Sequence, residues 1–405
     1  MSGGTRSYEM AKRMVESGHE VHLITSNRDS KNNDKTIHKT IEAGIHVYWI
    51  PNKYTSKMSY SKRILSFIKF AFKSIYLALK VRPEMVFATS TPLTIAIPGL
   101  ISSKIFRSPM IFEVRDLWPE MPIAIGALRN PYLIKIAKLL EKIAYFNSES
   151  IVALSPGIKS GIVSKGYPSE NIAIIPNASD IKEFSSPSDS YSIKYRHSRP
   201  WLLDRPWIIY TGSIGFINGL NQLIDIAYIL KSIDPEIRIS IIGEGSELEN
   251  LIYYSKIKGV YNNNLFFESS LSKREMPNIY NAATIASGFF INLPEMQSNS
   301  SNKFFDALAS GKPFLLNYGG WMHDLLMKHK CAISAWNRPL NDVASEIATS
   351  IRDSSWLEQA SKSSFGLANK YFHREKLSLE LSKLLVSSYK REGFRASKIA
   401  PGIYE

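Results

Sequence analysis

A single cysteine, Cys331, among 405 residues excludes an internal disulfide and any cysteine-cluster metal site. The eight histidines fall at no H-x-x-x-H or similar spacing, so the sequence carries no metal-ligand signature. Uninterrupted apolar runs stay below the roughly 18 residues a membrane span needs, and the opening residues do not read as a secretory leader. The chain is therefore expected in the cytosol or on a membrane face. Helix-turn-helix, zinc-finger and RNP-like patterns are missing, which leaves nucleic acid the least supported partner. Acidic residues are outnumbered, 36 Asp and Glu against 50 Lys and Arg, for a net charge of +14. That surplus suits an anionic membrane or an anionic substrate.

What is present describes an ordered globular protein, 44% hydrophobic and 21% charged, long enough for two domains with full cores. Strands and helices alternate, which predicts a parallel α/β architecture. The start is a glycine turn, Gly3-Gly4, leading into a helix over Ser7–Ser17 and an alternating strand over Glu20–Thr25. Ile45–Ile50, Pro83–Ser90, Pro109–Glu120, Ser150–Ser155 and Ile172–Asn177 read as further strands. One strand end gathers Glu113, Arg115, Asp116 and Glu120, where a doubly wound sheet binds ligands, although a salt-bridged loop has the same composition. From about Phe184 to Pro206 the pattern lapses, and Ser185–Ser190 reads as linker. The expected division is a first domain over 1–184, a linker over 185–206, a second domain over 207–375, and a helix with a basic tail over 376–405 that packs back on the first domain.

Ser61–Lys80 forms a helix whose Lys62, Ser66, Lys69, Lys73 and Lys80 share a stripe on an otherwise apolar surface. Such a helix packs between layers with one wet edge, or lies in a membrane interface. In the second half, Trp207–Gly212 is a strand followed by the glycine loop Gly212–Gly219, and Arg238–Gly245 is a second strand and turn. Glycine turns between strand and helix let a phosphate approach backbone N–H groups.

The stretch Ser298–Pro313 concentrates chemistry. Ser301 or Asn302 can cap a helix that Gly311 and Pro313 end. At about 100° per residue, Lys303, Asp306 and Ser310 share one face, and Phe304, Phe305, Leu308 and Ala309 the other. A cation, a carboxylate and unpaired N–H groups at one helix start suit an anionic, hydroxyl-bearing ligand such as a nucleoside diphosphate. An amphipathic helix with an i,i+3 ion pair would show the same pattern.

Taken in order, several motifs resemble the retaining glycosyltransferases of family 4, which have the GT-B fold: two Rossmann-like domains facing a central cleft. The carriers are Gly18-His19-Glu20-Val21, Ser155-Pro156-Gly157, Ile174–Ala178 with Asp180, Tyr210-Thr211-Gly212, Ile242-Gly243-Glu244-Gly245 and Lys303–Pro313. The resemblance spans nearly the whole chain. Arg115-Asp116-Leu117-Trp118-Pro119-Glu120 resembles a subgroup that adds N-acetylated amino sugars or deoxysugars to bacterial surface polysaccharides such as O-antigen or capsule.

This resemblance implies an acceptor site in the first domain and a nucleotide-sugar donor site in the second, with a UDP-sugar favoured. Asp306 would take the donor's ribose hydroxyls. Lys303, with the N–H groups of Ser301 and Asn302, would face the diphosphate. Glu268 to Leu271, including Ser270, would border the base. Gly3 and Gly4 would approach the phosphates or sugar from the other domain. Gly212, Ser213, Gly243, Gly245 and Ser298 complete the implied donor site, and Arg115, Asp116 and Lys303 are the implied catalytic residues. The implied acceptor is a lipid-linked saccharide at the cytoplasmic face of the inner membrane, reached through 61–80.

The departures from the family pattern are specific. Ser298 stands where a second acidic residue is usual. Gly212–Gly219 lacks the usual Arg and Lys for the diphosphate. Arg115 replaces a common histidine. The strand expected before Gly3-Gly4 is absent, which implies an upstream start or a truncated product. No D-x-D motif precedes the donor site, so no metal is expected to be required. Two rivals share parts of this pattern: a nucleotide-sugar 2-epimerase of the same fold, and a basic non-enzymatic binding protein.

Overall fold

The computed structural model describes residues 5–27, 36–52, 58–185 and 188–390. The described residues form two compact units, one made of those up to Pro176 and those of 375–390, the other of those within Asn177–Arg374.

In the first unit, His22–Asn27 (β1), His38–Glu42 (β2) and Ile45–Pro51 (β3) form a sheet in the order β1-β3-β2. β3 runs parallel to β1 and antiparallel to β2. Val86–Thr89 (β4), Met110–Val114 (β5), Ser150–Ala153 (β6) and Ile172–Ile174 (β7) form a second sheet, parallel throughout. β5 and β6 are buried along their whole length, as strands covered on both faces are. β1 and β4 each stand at a sheet edge.

Gly3 and Gly4 lie outside the described residues. The helix Thr5–Glu16 follows them, and its Arg6 is a core residue, 2% exposed. Arg6 donates Nε–H to Glu113 Oε2 at 2.8 Å, and its terminal nitrogens to the carbonyls of Ile175 at 2.8 Å and Pro176 at 2.6 Å. Glu113 also accepts from Thr89 Oγ1 at 2.7 Å. Glu113 is thus a buried tie of β5 to the first helix. Glu120 pairs with Lys165. Of the four charged residues read as a ligand-facing strand end, these two are structural.

The helix read over 61–80 spans Tyr60–Val81. Its inward side carries Ser66, Ala71, Ser74 and Leu77. Ser66, placed with the lysines by helical spacing, is buried and donates to Asn52 Oδ1 at 2.7 Å. Leu65, Ile68, Phe72 and Tyr76 face outward beside Lys62, Lys69 and Lys73.

In the second unit, Trp207–Thr211 (β8), Arg238–Ile242 (β9), Leu265–Glu268 (β10), Ile285–Gly288 (β11), Phe314–Leu316 (β12) and Ala332–Ser334 (β13) form a parallel sheet in the order β10-β9-β8-β11-β12-β13. Its core holds Ile208, Tyr210, Ile239, Ile241, Leu265, Ile285 and Phe289.

The segment 185–206, read as a linker, belongs to this unit. Ser188 caps the helix Asp189–His197 through its side chain. Tyr195 stacks on Trp207, and Trp201 on Phe266 with ring centroids 3.9 Å apart. Arg199 Nε donates to Glu268 Oε2 at 2.8 Å. Few aliphatics signal these contacts in the sequence, because aromatic and arginine side chains make them. The chain enters the second unit at Asn177, ahead of the expected boundary. At the other end, the helix Arg374–Lys390 returns to the first unit, where Ser378 meets Met10 and Ser388 meets Ser150. The basic tail 391–405 lies outside the described residues.

Candidate functional site

β8 is buried at every position and ends at Thr211, so the chain emerges from the sheet at Gly212. The glycines here set how closely two loops approach. A Cβ on Gly243 would lie 1.8 Å from the Gly212 carbonyl oxygen, and one on Gly245 would lie 2.0 Å from that of Ile214. The loops after β8 and β9 are laced by Gly212 N–H to Ile242 O at 3.0 Å and Ile214 N–H to Glu244 O at 2.8 Å. Gly243 N–H is donated to Glu268 O at 3.0 Å. These amides are therefore committed to loop packing, and the glycine loop is not a ring of N–H groups aimed at phosphate. Ser270 closes the edge by donating to Glu244 Oε1 at 2.6 Å. Leu271, next to it, is half-buried.

Onto this platform comes the helix Asn302–Ala309. Ser301 holds the N-cap position in extended geometry, and its side chain makes no capping bond. Gly311, at φ 62°, ends the helix by donating N–H to Leu308 O at 2.9 Å. Burial follows the expected division. Phe304, Phe305 and Leu308 are fully buried, with Phe305 edge-on to Phe304 and to Phe372 at 5.0 Å in each case. Lys303, Asp306 and Ser310 stay partly accessible.

This packing delivers Lys303 to the end of β8. Its Nζ donates to Tyr210 Oη at 2.7 Å and lies 3.9 Å from the centre of that ring. Tyr210 donates its own O–H to the Ser213 carbonyl at 2.7 Å. A Cβ on Gly212 would stand 3.7 Å from Nζ, so the residue's bareness keeps the ammonium uncovered. Phe290 flanks the cation at 5.9 Å. Desolvation in this aromatic recess pushes the Lys303 pKa down to about 7. A cation short of water, held beside the amides of a helix start, favours an incoming anion.

Asp306 lies one turn further on. It accepts from Ser179 Oγ, in a group completed by Asp180, Arg374 and Lys273. Burial raises its pKa to about 6, opposed by the Ser179 bond and the Arg374 charge. At neutral pH it is mainly ionised and can accept hydroxyl donors. Ser298 ends the turn Pro294–Ser298 before the helix. Glu295 in the same turn has one carboxylate oxygen buried without a protein partner. Tyr318 packs on Phe290 at 4.8 Å and likewise has a buried, unpartnered hydroxyl.

Lys303, Gly212, Ser213, Tyr210 and the helix start thus come together in the second unit. Gly243, Gly245 and Ser270 stand behind them as scaffold. Glu295 and Tyr318 were not identified from the sequence, and Tyr210 was named there only within the motif Tyr210-Thr211-Gly212, not as a site residue. Tyr210 in particular lies within a strand whose apolar pattern reads as core. Arg115 and Asp116 belong to the first unit. Arg115 N–H donates to Ser90 Oγ at 3.1 Å, and Asp116 accepts from Thr91 Oγ1 at 3.2 Å. Burial raises the Asp116 carboxyl above the ordinary range, against the pull of Arg115.

Residues 3–183 match the family model described as Glycosyltransferase Family 4. WcaI of Escherichia coli K12, assigned as a colanic acid biosynthesis glycosyl transferase, is 23% identical over 276 residues, 65% of this chain and 67% of that protein. Among solved structures, Anabaena HepE in complex with UDP superposes with a TM-score of 0.71 at 16% identity, over 96% of this chain and 97% of that one. WaaG, a glycosyltransferase involved in lipopolysaccharide biosynthesis, gives 0.68 at 12% identity, over 94% and 95%. At these identities the likeness to solved structures is one of fold.

Proposed function

We propose that the chain is a family 4 glycosyltransferase of GT-B type, a reading supported by the family match over residues 3–183 and the likeness to WcaI, and that it moves a sugar, with retention of anomeric configuration, from a UDP-sugar to a lipid-linked saccharide. Its product would serve bacterial surface-polysaccharide assembly, as in O-antigen or capsule, and the transferred sugar would be an N-acetylated amino sugar or a deoxysugar.

The observation that carries this reading is the desolvated Lys303 ammonium at the uncovered Gly212 edge, beside the start of the helix Asn302–Ala309. Lys303 would hold the diphosphate and stabilise the charge that develops on it as the glycosidic bond breaks. The amides of Ser301 and Asn302 would share that load, and Asp306 would accept the ribose hydroxyls. With the leaving diphosphate and the acceptor on one face of the sugar, the diphosphate oxygen takes the acceptor's proton. Lys303 and the helix start then serve as the electrostatic machinery, and the step needs no metal. Arg115 and Asp116 would act from the acceptor side.

Membrane access is supported by two helices of the first unit. In Tyr60–Val81, Phe72 is 68% exposed among Lys62, Lys69 and Lys73. In Pro131–Phe146, Tyr132 is 78% exposed, and Leu133, Ile136, Leu139 and Ile143 lie open beside Lys135, Lys138 and Lys142. Exposed apolar rows edged with lysine suit the headgroup boundary of an anionic bilayer. A recess of about 310 Å³ between Asn52, Met58 and the lysines of Tyr60–Val81 offers room for a phosphate-bearing headgroup. Among the described residues no helix is long and apolar enough to cross a membrane.

Thermal shift with UDP-, GDP- and dTDP-sugars tests the donor assignment. A UDP-sugar should raise the melting temperature most, since a ligand of the folded state alone stabilises it. Failure of every nucleotide sugar to shift it would overturn the reading. Conversion of the donor alone, without acceptor, would instead identify an epimerase.

A further inference from the structure

The first unit contains a cluster of metal-ligating side chains that the proposed transfer does not use. β1 and β3 run parallel in a register that sets His22 directly beside His46. Their rings stack, with centroids 4.8 Å apart. Tyr48 lies two residues after His46 on β3, so alternation along that strand puts both on one face, and Glu20, in the approach to β1, reaches the same side through its contact with His22. We propose that Glu20, His22 and His46 form a binding site for a borderline divalent cation of the zinc class.

Three side chains with ligand atoms stand close together. Glu20 Oε1 lies 2.8 Å from His22 Nε2 and 3.8 Å from His46 Nε2. Among the described residues this is the cluster whose ligand atoms all lie within 4.8 Å of one another. For a tetrahedral zinc at roughly 2.0–2.1 Å from each ligand, neighbouring ligand atoms should be about 3.3–3.4 Å apart. The two distances to the carboxylate bracket that value. Small rotations about the Glu20 and His46 side chains would seat the ion, and water would complete the tetrahedron from the open side, where Glu20 is 73% exposed.

The surroundings favour one nitrogen of His22. Its Nδ1 faces Tyr48 Oη at 3.3 Å, a contact that fixes the ring and leaves Nε2 for the ion. His46 Nδ1 is buried without a partner, so His46 lacks that support. Lys39, beside Tyr48, adds an opposing charge. Supporting partners typically contribute 10–100-fold in affinity, so a dissociation constant on the order of micromolar is expected rather than that of a closed structural site. Two imidazoles and one carboxylate suit zinc, copper or nickel, and not magnesium or calcium. The ion would clip the approach to β1 onto β3.

The test uses the full-length protein with Co²⁺ and Zn²⁺. Co²⁺ should give the intense visible band of a four-coordinate ion, displaced by one equivalent of Zn²⁺. Competition against a chromogenic chelator should show His22→Ala and His46→Ala each weakening Zn²⁺ binding at least tenfold. His38→Ala, on the exposed strand β2, should leave it unchanged. Equal Zn²⁺ affinity in the wild type and the His22→Ala/His46→Ala double variant would overturn the proposal. So would a cobalt spectrum of six-coordinate type in the unaltered protein, a readout that does not depend on a variant folding.

Discussion

Lys303 is held in a place that disfavours its charge. With a pKa near 7, it stays protonated below that value and loses its proton above it. The unfolded chain holds this proton up to about 10.5. Between the two values the unfolded state binds more protons, so this group makes stability rise with pH across that window. If Lys303 holds the diphosphate as proposed, donor binding should have the opposite slope, because the anion would need the ammonium. UDP affinity measured by calorimetry should be flat below about pH 7 and fall as pH rises beyond it. In Lys303→Met this fall should vanish, and the stability slope above pH 7 should flatten. Lys303→Ala should lower kcat/KM by about 10²-fold or more, as loss of one oxyanion donor does. Near-full activity would remove the diphosphate role.

At the scale of elements, the second-unit site is built where two loops and one helix meet. The loops after β8 and β9 touch through backbone at Gly212, Ile214, Gly243 and Gly245, a packing that side chains would block. Gly245→Ala places a methyl group 2.0 Å from the Ile214 oxygen if nothing moves. The expected cost is about 1–3 kcal/mol of stability, with weaker UDP binding because the displaced loop carries Ser213 and the edge beside Lys303. Denaturant melts and calorimetry on one preparation would check both. A variant as stable and as tight-binding as the parent would show that the loops tolerate separation. The helix Asn302–Ala309 was legible from spacing alone, since its apolar face needs only a 3.6-residue period to be seen. The partners of that face were not. Phe372 and Trp321 lie far along the chain, and only packing brings them against Phe304 and Phe305.

For the whole molecule, the net charge of +14 is carried in part by helices that also expose apolar rows. Lys62, Lys69 and Lys73 changed to Glu should release the protein from anionic vesicles in flotation assays. At about 1 kcal/mol per basic residue near the surface, removal of three should weaken binding by roughly 10²-fold, and charge reversal should weaken it further. Retained binding would place the contact elsewhere, with Pro131–Phe146 the next candidate. The helix Tyr60–Val81 was recognisable as basic and apolar, but which side faced inward was not. Helical spacing grouped Ser66 with the lysines. In the fold, small residues such as Ser66, Ala71 and Ser74 turn inward, and Leu65, Phe72 and Tyr76 remain outside.

The sequence by itself determined the parallel α/β class and the amphipathic division of Ser298–Pro313, because these rest on local periodicity, and the order of its motifs carried the family resemblance. Tertiary structure decided the rest. It made Glu113 a buried partner of Arg6, since a residue 107 positions away supplies the opposite charge. It joined 185–206 to the second unit through aromatic and arginine contacts. It turned the glycine loops into close-packed scaffold and set the Lys303 ammonium against Tyr210 at the end of β8. It also brought Glu20, His22 and His46 to one face, a grouping no histidine spacing announces, because the register of two parallel strands sets it.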